Sequence, residues 1–468
     1  MNDRPDKPSA PLILKTANGL TVEISRGDIV AMAINGRQLA TGTPMGFAVI
    51  DQADPAKRRL TFEVIAAKPD NPLFYRGICS EAAIEVEAQF TAMPGCIAVR
   101  GKVTDRRGVD RAISLSWSLP IDATGWVWDD DIRRSRTIGS GIYARTEPAA
   151  CGSGSLSVFP LASIRDRRSG LALAMDMARP AQFQIYYDAD RKVFELSYDF
   201  ALVPDSEHFP SAAEFSFVFF PCDPDWGFRS AHEAYMRLFA AAYTVRSRDQ
   251  GIWMPFSLIS KIADWEDFGF RYHEGGEPDH AFDRQNGLLP FRYTEPFTWW
   301  MPMPDDMPRT YEAARTEHRR LLRDGTGRQR DMAAAMEHSA MADADGRWVV
   351  SFHKLPWCNG ACWALNPNPA QQSVPNGATV NWSPAHAEAR HGADSLLAGE
   401  YIDSVEGYTT PELNFRRDNF RWTTVPLTYD PVTLQPGLFK GLAVFEFARR
   451  MSEDMHRMGK LLFGNGVP

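Results

Sequence analysis

The sequence predicts a multidomain chain: an N-terminal β-sandwich followed by a (β/α)8-type barrel that is incomplete at its C-terminal end. Three observations predict it. Up to about residue 221, short segments alternate apolar and polar residues with a period of two, and no long amphipathic helix interrupts them. Residues 225–243 then switch to a helical period. After Gly251, apolar runs of strand length alternate with amphipathic stretches, the pattern of a parallel sheet. The boundaries that follow are 10–223 for the sandwich, 224–250 for a linking helix and 251–468 for a partial barrel.

In the first part, Leu20-Thr-Val-Glu-Ile24 and the runs at 60–65, 83–88, 97–103, 113–117, 182–187, 194–198 and 215–220 read as half-buried antiparallel strands. Asn18-Gly19 and Asn35-Gly36 are hairpin turn signals. No glycine-rich repeat recurs at a fixed period, which argues against a propeller. Pro221 and Pro224 close this region. Phe228, Ala231, Ala234, Tyr235, Leu238 and Phe239 then recur at three and four, so a helix follows.

In the second part, residues 252–259 and 288–295 are apolar runs of buried-strand length, and 264–270 reads as helical. Residues 310–322 form a helix with Glu312 and Arg319 on its wet side. Residues 348–352 are a third strand or a hairpin excursion, 398–403 the next strand, 435–458 a long amphipathic helix and 460–464 a last strand. Four or five strands are read where a barrel needs eight, so the sequence is expected to be a piece of a longer reading frame.

Composition narrows the chemistry. A net charge of −8 with no basic stripe disfavours a nucleic-acid partner. The start of the chain lacks the apolar core of a secretory signal, and no run of about 18 apolar residues could cross a bilayer. The expectation is a cytoplasmic protein, or a secreted or periplasmic one if the N-terminus is incomplete. Six cysteines form no dense framework, and Cys358 and Cys362, even beside His353, lack the second ligand pair of a metal site; no metal and no cofactor are expected. Phosphate-loop, dinucleotide and nucleophile-elbow motifs are absent.

The informative stretch is Ala398-Gly-Glu-Tyr-Ile-Asp-Ser-Val-Glu-Gly-Tyr408, a short strand that ends on a carboxylate. Asp403 and Glu406 are the candidate catalytic pair. Carboxylates at the carboxyl ends of barrel strands are where this architecture keeps its chemistry, and glycosidic cleavage needs two of them. Glu295 ends another strand and is a candidate substrate contact, as is Asp430, although an Asp before Pro431 more often closes a turn. Trp299, Trp300, Trp357 and Tyr408, with Trp363 and Trp422, are read as loop aromatics, either sugar platforms or packing on the rim. An oligo- or polysaccharide is the expected ligand.

Sandwich, linking helix and a barrel strand reading Glu400-Tyr-Ile-Asp-Ser404 together resemble retaining glycoside hydrolases with a galactose-mutarotase-like N-terminal domain, the α-galactosidase clan and the endo-α-N-acetylgalactosaminidase family. The resemblance implies an Asp nucleophile at the end of a middle barrel strand, which falls on Asp403, and an acid/base from a later strand. Two other readings stay open: a carbohydrate-binding pseudoenzyme, and a polysaccharide lyase. The strand–helix alternation after Gly251 counts against the lyase.

Overall fold

The computed structural model describes residues 11–39, 41–65, 74–146, 156–275, 277–371, 374–405 and 412–465. The chain divides into two compact units, Met1–Thr244 with Val425–Gly437, and Val245–Thr424 with Leu438–Pro468.

In the first unit the period-two segments become two large antiparallel sheets of nine and six strands, with a small four-stranded sheet built from the N-terminal hairpins. Asn35 and Gly36 both adopt positive φ (51° and 78°), the turn that matches the twist of the strands it joins. Strand Leu20–Ser25 buries every second residue, as the sequence alternation requires. The inner faces meet in an aromatic core. Trp117, on central strand Arg111–Leu119 of the six-stranded sheet, lies 4.8 Å and 5.0 Å from Phe217 and Phe219 of strand Ala212–Cys222 in the other sheet. Each such buried ring contributes on the order of 2–3 kcal/mol. Helix Phe228–Leu238 lays Phe228, Ala231 and Tyr235 on the outer face of the nine-stranded sheet, and Tyr235 donates to the Met175 carbonyl (3.1 Å). Residues 425–437 also belong here. The Ala201 amide donates to the Leu427 carbonyl (2.9 Å), and the Tyr429 hydroxyl bonds Asp199 (3.1 Å).

The second unit is organised on five parallel strands paired in chain order: Ile252–Pro255, Phe270–Glu274, Leu289–Thr294, Gly399–Ile402 and Leu461–Gly464. This is an arc of a barrel, five strands of the eight that closure takes. Rings fill its concave side: Trp253 stands 4.7 Å from Tyr401, 5.2 Å from Phe291 and 5.3 Å from Phe463. Gly399 is required by this packing, since an added Cβ would lie 2.1 Å from the Leu461 carbonyl oxygen and 2.5 Å from the Phe291 ring.

Two expectations need correction, and one open alternative is decided. Residues 264–270 are not a helix: a single 3-10 turn, Trp265–Phe268, leads into the second parallel strand, which the sequence reading passed over. The run at 348–352 takes its hairpin alternative, as strand Val350–Leu355 of a three-stranded antiparallel sheet with Thr298–Pro302 and Cys358–Ala364. Trp299, Trp300 and Trp363 therefore lie on strands and not on loops. A strand of two or three apolar residues serves a parallel or an antiparallel sheet equally well, so only tertiary pairing decides.

Candidate active site at the strand ends

The carboxyl ends of the five parallel strands bring polar side chains together that the sequence separates widely. Asp403 follows the fourth strand. Its amide donates to the Thr294 carbonyl (3.0 Å), which fixes it beside the end of the third strand. Its carboxylate is held by neutral donors: Tyr293 hydroxyl to Oδ2 (2.9 Å), Asn465 Nδ2 to Oδ1 (2.7 Å) and Tyr401 hydroxyl to Oδ1 (3.4 Å). Burial opposes its charge, but the bonds from Asn465, Tyr293 and Ser404 outweigh burial and hold the carboxyl below the usual range. Ser404, next in the chain, turns through φ 57°, a left-handed conformation that aims Asp403 off the strand.

Glu295 is the second expected carboxylate in this group. Trp300 Nε1 lies 3.0 Å from each of its oxygens, the Thr298 hydroxyl donates to Oε1, and the Tyr293 hydroxyl stands 3.3 Å from Oε2. Tyr293 thus bridges Glu295 and Asp403. Its own pKa is raised, first by burial and then by those two carboxylates, so it stays a hydrogen-bond donor.

Glu274 and Asn465 join the site without having been singled out in the sequence. Glu274 ends the second strand, buried, with Oε2 unpartnered among the described residues. Burial, and then the charge on Asp403, push its carboxyl up and favour the protonated form. The third strand runs between them, so two acids of opposite tendency stand two strands apart. The only sequence signal for Glu274 was that Phe270–Glu274 stops on His and Glu.

The aromatic candidates separate. Trp300 lies 5.3 Å from the His353 ring and 6.4 Å from Trp357, which is 69% exposed. Trp299 is buried and packs on His318 (6.1 Å), with an edge on the cavity of about 590 Å3 that Tyr293, Glu295 and Trp300 also line. Phe256, at φ 58° and 74% exposed, overhangs Tyr293 at 6.1 Å. A phenylalanine held at positive φ and left exposed is costly in folding terms alone. Asp430 belongs to the other unit and closes a turn, accepting from the amides of Val432 (2.8 Å) and Thr433 (2.7 Å). Glu406 and Tyr408 lie outside the described residues.

One trio could be mistaken for a metal centre. His273, Asp279 and Asp283 are buried, with donor atoms within 4.8 Å of one another. His273 Nδ1 bonds Asp283 (2.8 Å) and Nε2 bonds the Ser257 carbonyl (2.7 Å). Burial opposes a charge on this ring, but its bonds to the Asp283 carboxylate and the Ser257 carbonyl outweigh burial and raise its pKa. Asp279 accepts from the Ser260 hydroxyl and amide. Protein partners thus account for all three side chains: His273 with Asp283 ties helix Glu277–Gln285 to the second strand, and Asp279 ties it to Ser260 on the turn at Ile259–Lys261.

No protein-family model matches the chain, and no curated protein matches its sequence. Solved structures do resemble it. The galactosidase domain of an α-galactosidase–sucrose kinase aligns over 98% of this chain and 71% of its own, with TM-score 0.53 and 9% identity. An α-galactosidase from Lactobacillus brevis gives 97%, 69%, 0.51 and 10% for the same quantities. A GH36 α-galactosidase from Geobacillus stearothermophilus, in complex with 1-deoxygalactonojirimycin, gives 97%, 72%, 0.50 and 10%. At such identities the likeness is one of fold alone. No helix among the described residues is long and apolar enough to cross a membrane.

Proposed function

We propose that this protein is a glycoside hydrolase acting on an α-linked sugar, with Asp403 as the nucleophile of a retaining mechanism. The observation that carries the reading is the state of Asp403: a strand-end carboxylate kept ionised by three neutral side chains, with no arginine or lysine in ion-pair reach among the described residues to quench it. Glu274, tending to the neutral acid, is the candidate to protonate the leaving oxygen. Acids pushed apart in this way mark the two roles of a glycosidase. Trp300, Trp357 and Phe256 offer apolar faces to sugar rings, and Glu295 accepts from a hydroxyl. The solved structures of similar fold are α-galactosidases, which supports an α-galactoside as the first substrate to try.

A second reading, sugar binding without turnover, is favoured by Glu274 itself: a carboxyl whose pKa burial raises, two strands from Asp403, can bind a hydroxyl instead of protonating an oxygen. One experiment separates them. With a nitrophenyl α-galactoside, Asp403→Asn should remove turnover, azide should restore it as a glycosyl azide, and binding of free galactose should persist. Turnover by Asp403→Asn at the parental rate removes the nucleophile assignment. Saturable galactose binding by a parent that turns over no α-glycoside supports the second reading.

A further inference from the structure

One group of cationic side chains in the second unit, Arg328 exposed and Arg390 and His386 half-buried, converges on a cavity without a matching counter-charge among the described residues. Helix Gly327–Ser339 and helix Pro384–His391 border a cavity of about 550 Å3, lined by Arg328 and Asp331 from the first and by His386 and Arg390 from the second. Arg328 Nη2 donates to Asn381 Oδ1 (2.9 Å) and Arg390 Nη1 to the Asn381 carbonyl (2.8 Å). Both acceptors are neutral, and among the described residues neither guanidinium has a carboxylate within ion-pair distance. Arg292, close by, gives Nε to Glu400 Oε1 (2.7 Å), an oxygen already bonded to His391 Nε2 (2.6 Å). Arg292 Nη2 and His386 Nδ1 are buried with no partner among the described residues.

The electrostatics agree with the geometry. Burial, then Arg292 and Arg328 against only Glu400, push the Arg390 guanidinium down to about 10. Burial and then Arg292 lower Arg328, and burial followed by Arg390, Arg292 and Arg328 lowers His386. Guanidinium groups remain charged even so at neutral pH, so the repulsion stays in the folded protein. Among the described residues, Asp331 is the single acid on the wall. Convergent cations repel one another, and an anion seated between them relieves that repulsion. Guanidinium forks fit the oxygens of a tetrahedral oxyanion. The remaining wall is largely apolar, with Val374, Pro375 and Val380.

We propose that this cavity binds a small phosphate or sulfate monoester, its oxyanion between Arg328, Arg390 and His386 and its organic part against Val374, Pro375 and Val380. The cavity is separate from the one at the strand ends, although Arg328 borders both, so Arg390→Gln is the variant that tests this site alone. Calorimetric titration of the full chain at constant ionic strength, made up with chloride, tests it with inorganic phosphate, inorganic sulfate, galactose 6-phosphate and galactose 6-sulfate. Saturable binding of a sugar ester is expected, at least about tenfold tighter than of the free ion. Arg328→Gln and Arg390→Gln should each weaken it about tenfold or more, and Asp331→Asn, by removing a like charge, should tighten it. Equal affinity for the free ion and the ester overturns the ester assignment. Absence of saturable binding, or binding unchanged in both arginine variants, overturns the site. If an arginine variant fails to fold, Asp331→Asn decides, because it leaves both guanidiniums in place: affinity that does not rise overturns the proposal.

Discussion

The sandwich and the strand-end site treat buried carboxylates in opposite ways, although elsewhere in the second unit Glu400 and Glu317 are paired with Arg292 and Arg320 much as in the sandwich. In the sandwich, acids are matched to arginine: Arg111 spans Asp105 (2.6 Å) and Asp51 (2.8 Å), Arg165 holds Asp129 (2.6 Å) and Arg59 holds Glu195 (2.7 Å). Burial pushes Glu195 up, yet Arg59, Ser118 and Tyr186 more than offset it. Asp199 is the exception, bonded only by Ser114, Tyr429 and Gln184, and burial drives it towards the neutral form. At the parallel-strand ends, Asp403 takes bonds from tyrosines and an asparagine, and Glu274 keeps an oxygen without a partner among the described residues. A carboxylate neutralised by arginine can do little except hold the fold. One kept charged by neutral donors retains its reactivity and its attraction for a positive centre.

The comparison can be broken by one chemical change made in both places. Glu195→Gln should cost about 3 kcal/mol, because it leaves Arg59 without its partner at a buried site; urea denaturation measures this. Glu446 gives the next largest effect. Buried and bonded by Thr423, Thr424 and Asn368, its carboxyl is pushed up to about 7, chiefly by burial. Its folded pKa lies above the unfolded value, so the protein should lose stability as pH rises from about 4.5 to about 7, on the order of 2–3 kcal/mol in all, and change little from this group beyond. Glu446→Gln should flatten the melting temperature across that window, and an unaltered profile would remove Glu446 as its source. Glu274→Gln, the partner of the first substitution, should shift stability by less than about 1 kcal/mol, since it replaces a group already tending to neutrality, while affecting sugar turnover or binding. A loss as large as that of Glu195→Gln would end the distinction between the arginine-paired acids and the strand-end site. Trp357→Ala is expected to move stability within about 0.5 kcal/mol, as an exposed ring should, and to raise KM for a longer glycan more than for a monosaccharide glycoside.

Much of this was legible in residues 20–24 and 83–88, where one buried face imposes a period of two on the sequence. Asp403 was legible because the apolar run stops on it. Phe270–Glu274 was not: Phe, Tyr, His and Arg show no clean alternation when one side faces an aromatic core and the other a helix, and the strand is only five residues long. Glu274 was lost with it. Tyr293 and Asn465 were invisible as site residues because their role lies in what they touch, on strands distant in sequence from Asp403. The short helices at 277–285 and 384–391 carry too few apolar residues to register as amphipathic.

The return of residues 425–437 to the first unit has a consequence for how the protein is made. A nascent chain that has reached residue 244 contains both large sheets of the sandwich but not Leu427, whose carbonyl receives the Ala201 amide, nor Tyr429, which bonds Asp199. During synthesis the edge near Ala201 therefore waits, its polar groups on water, while nearly all of the parallel-strand unit is translated. The first unit begun on the ribosome is finished only when the second is almost complete.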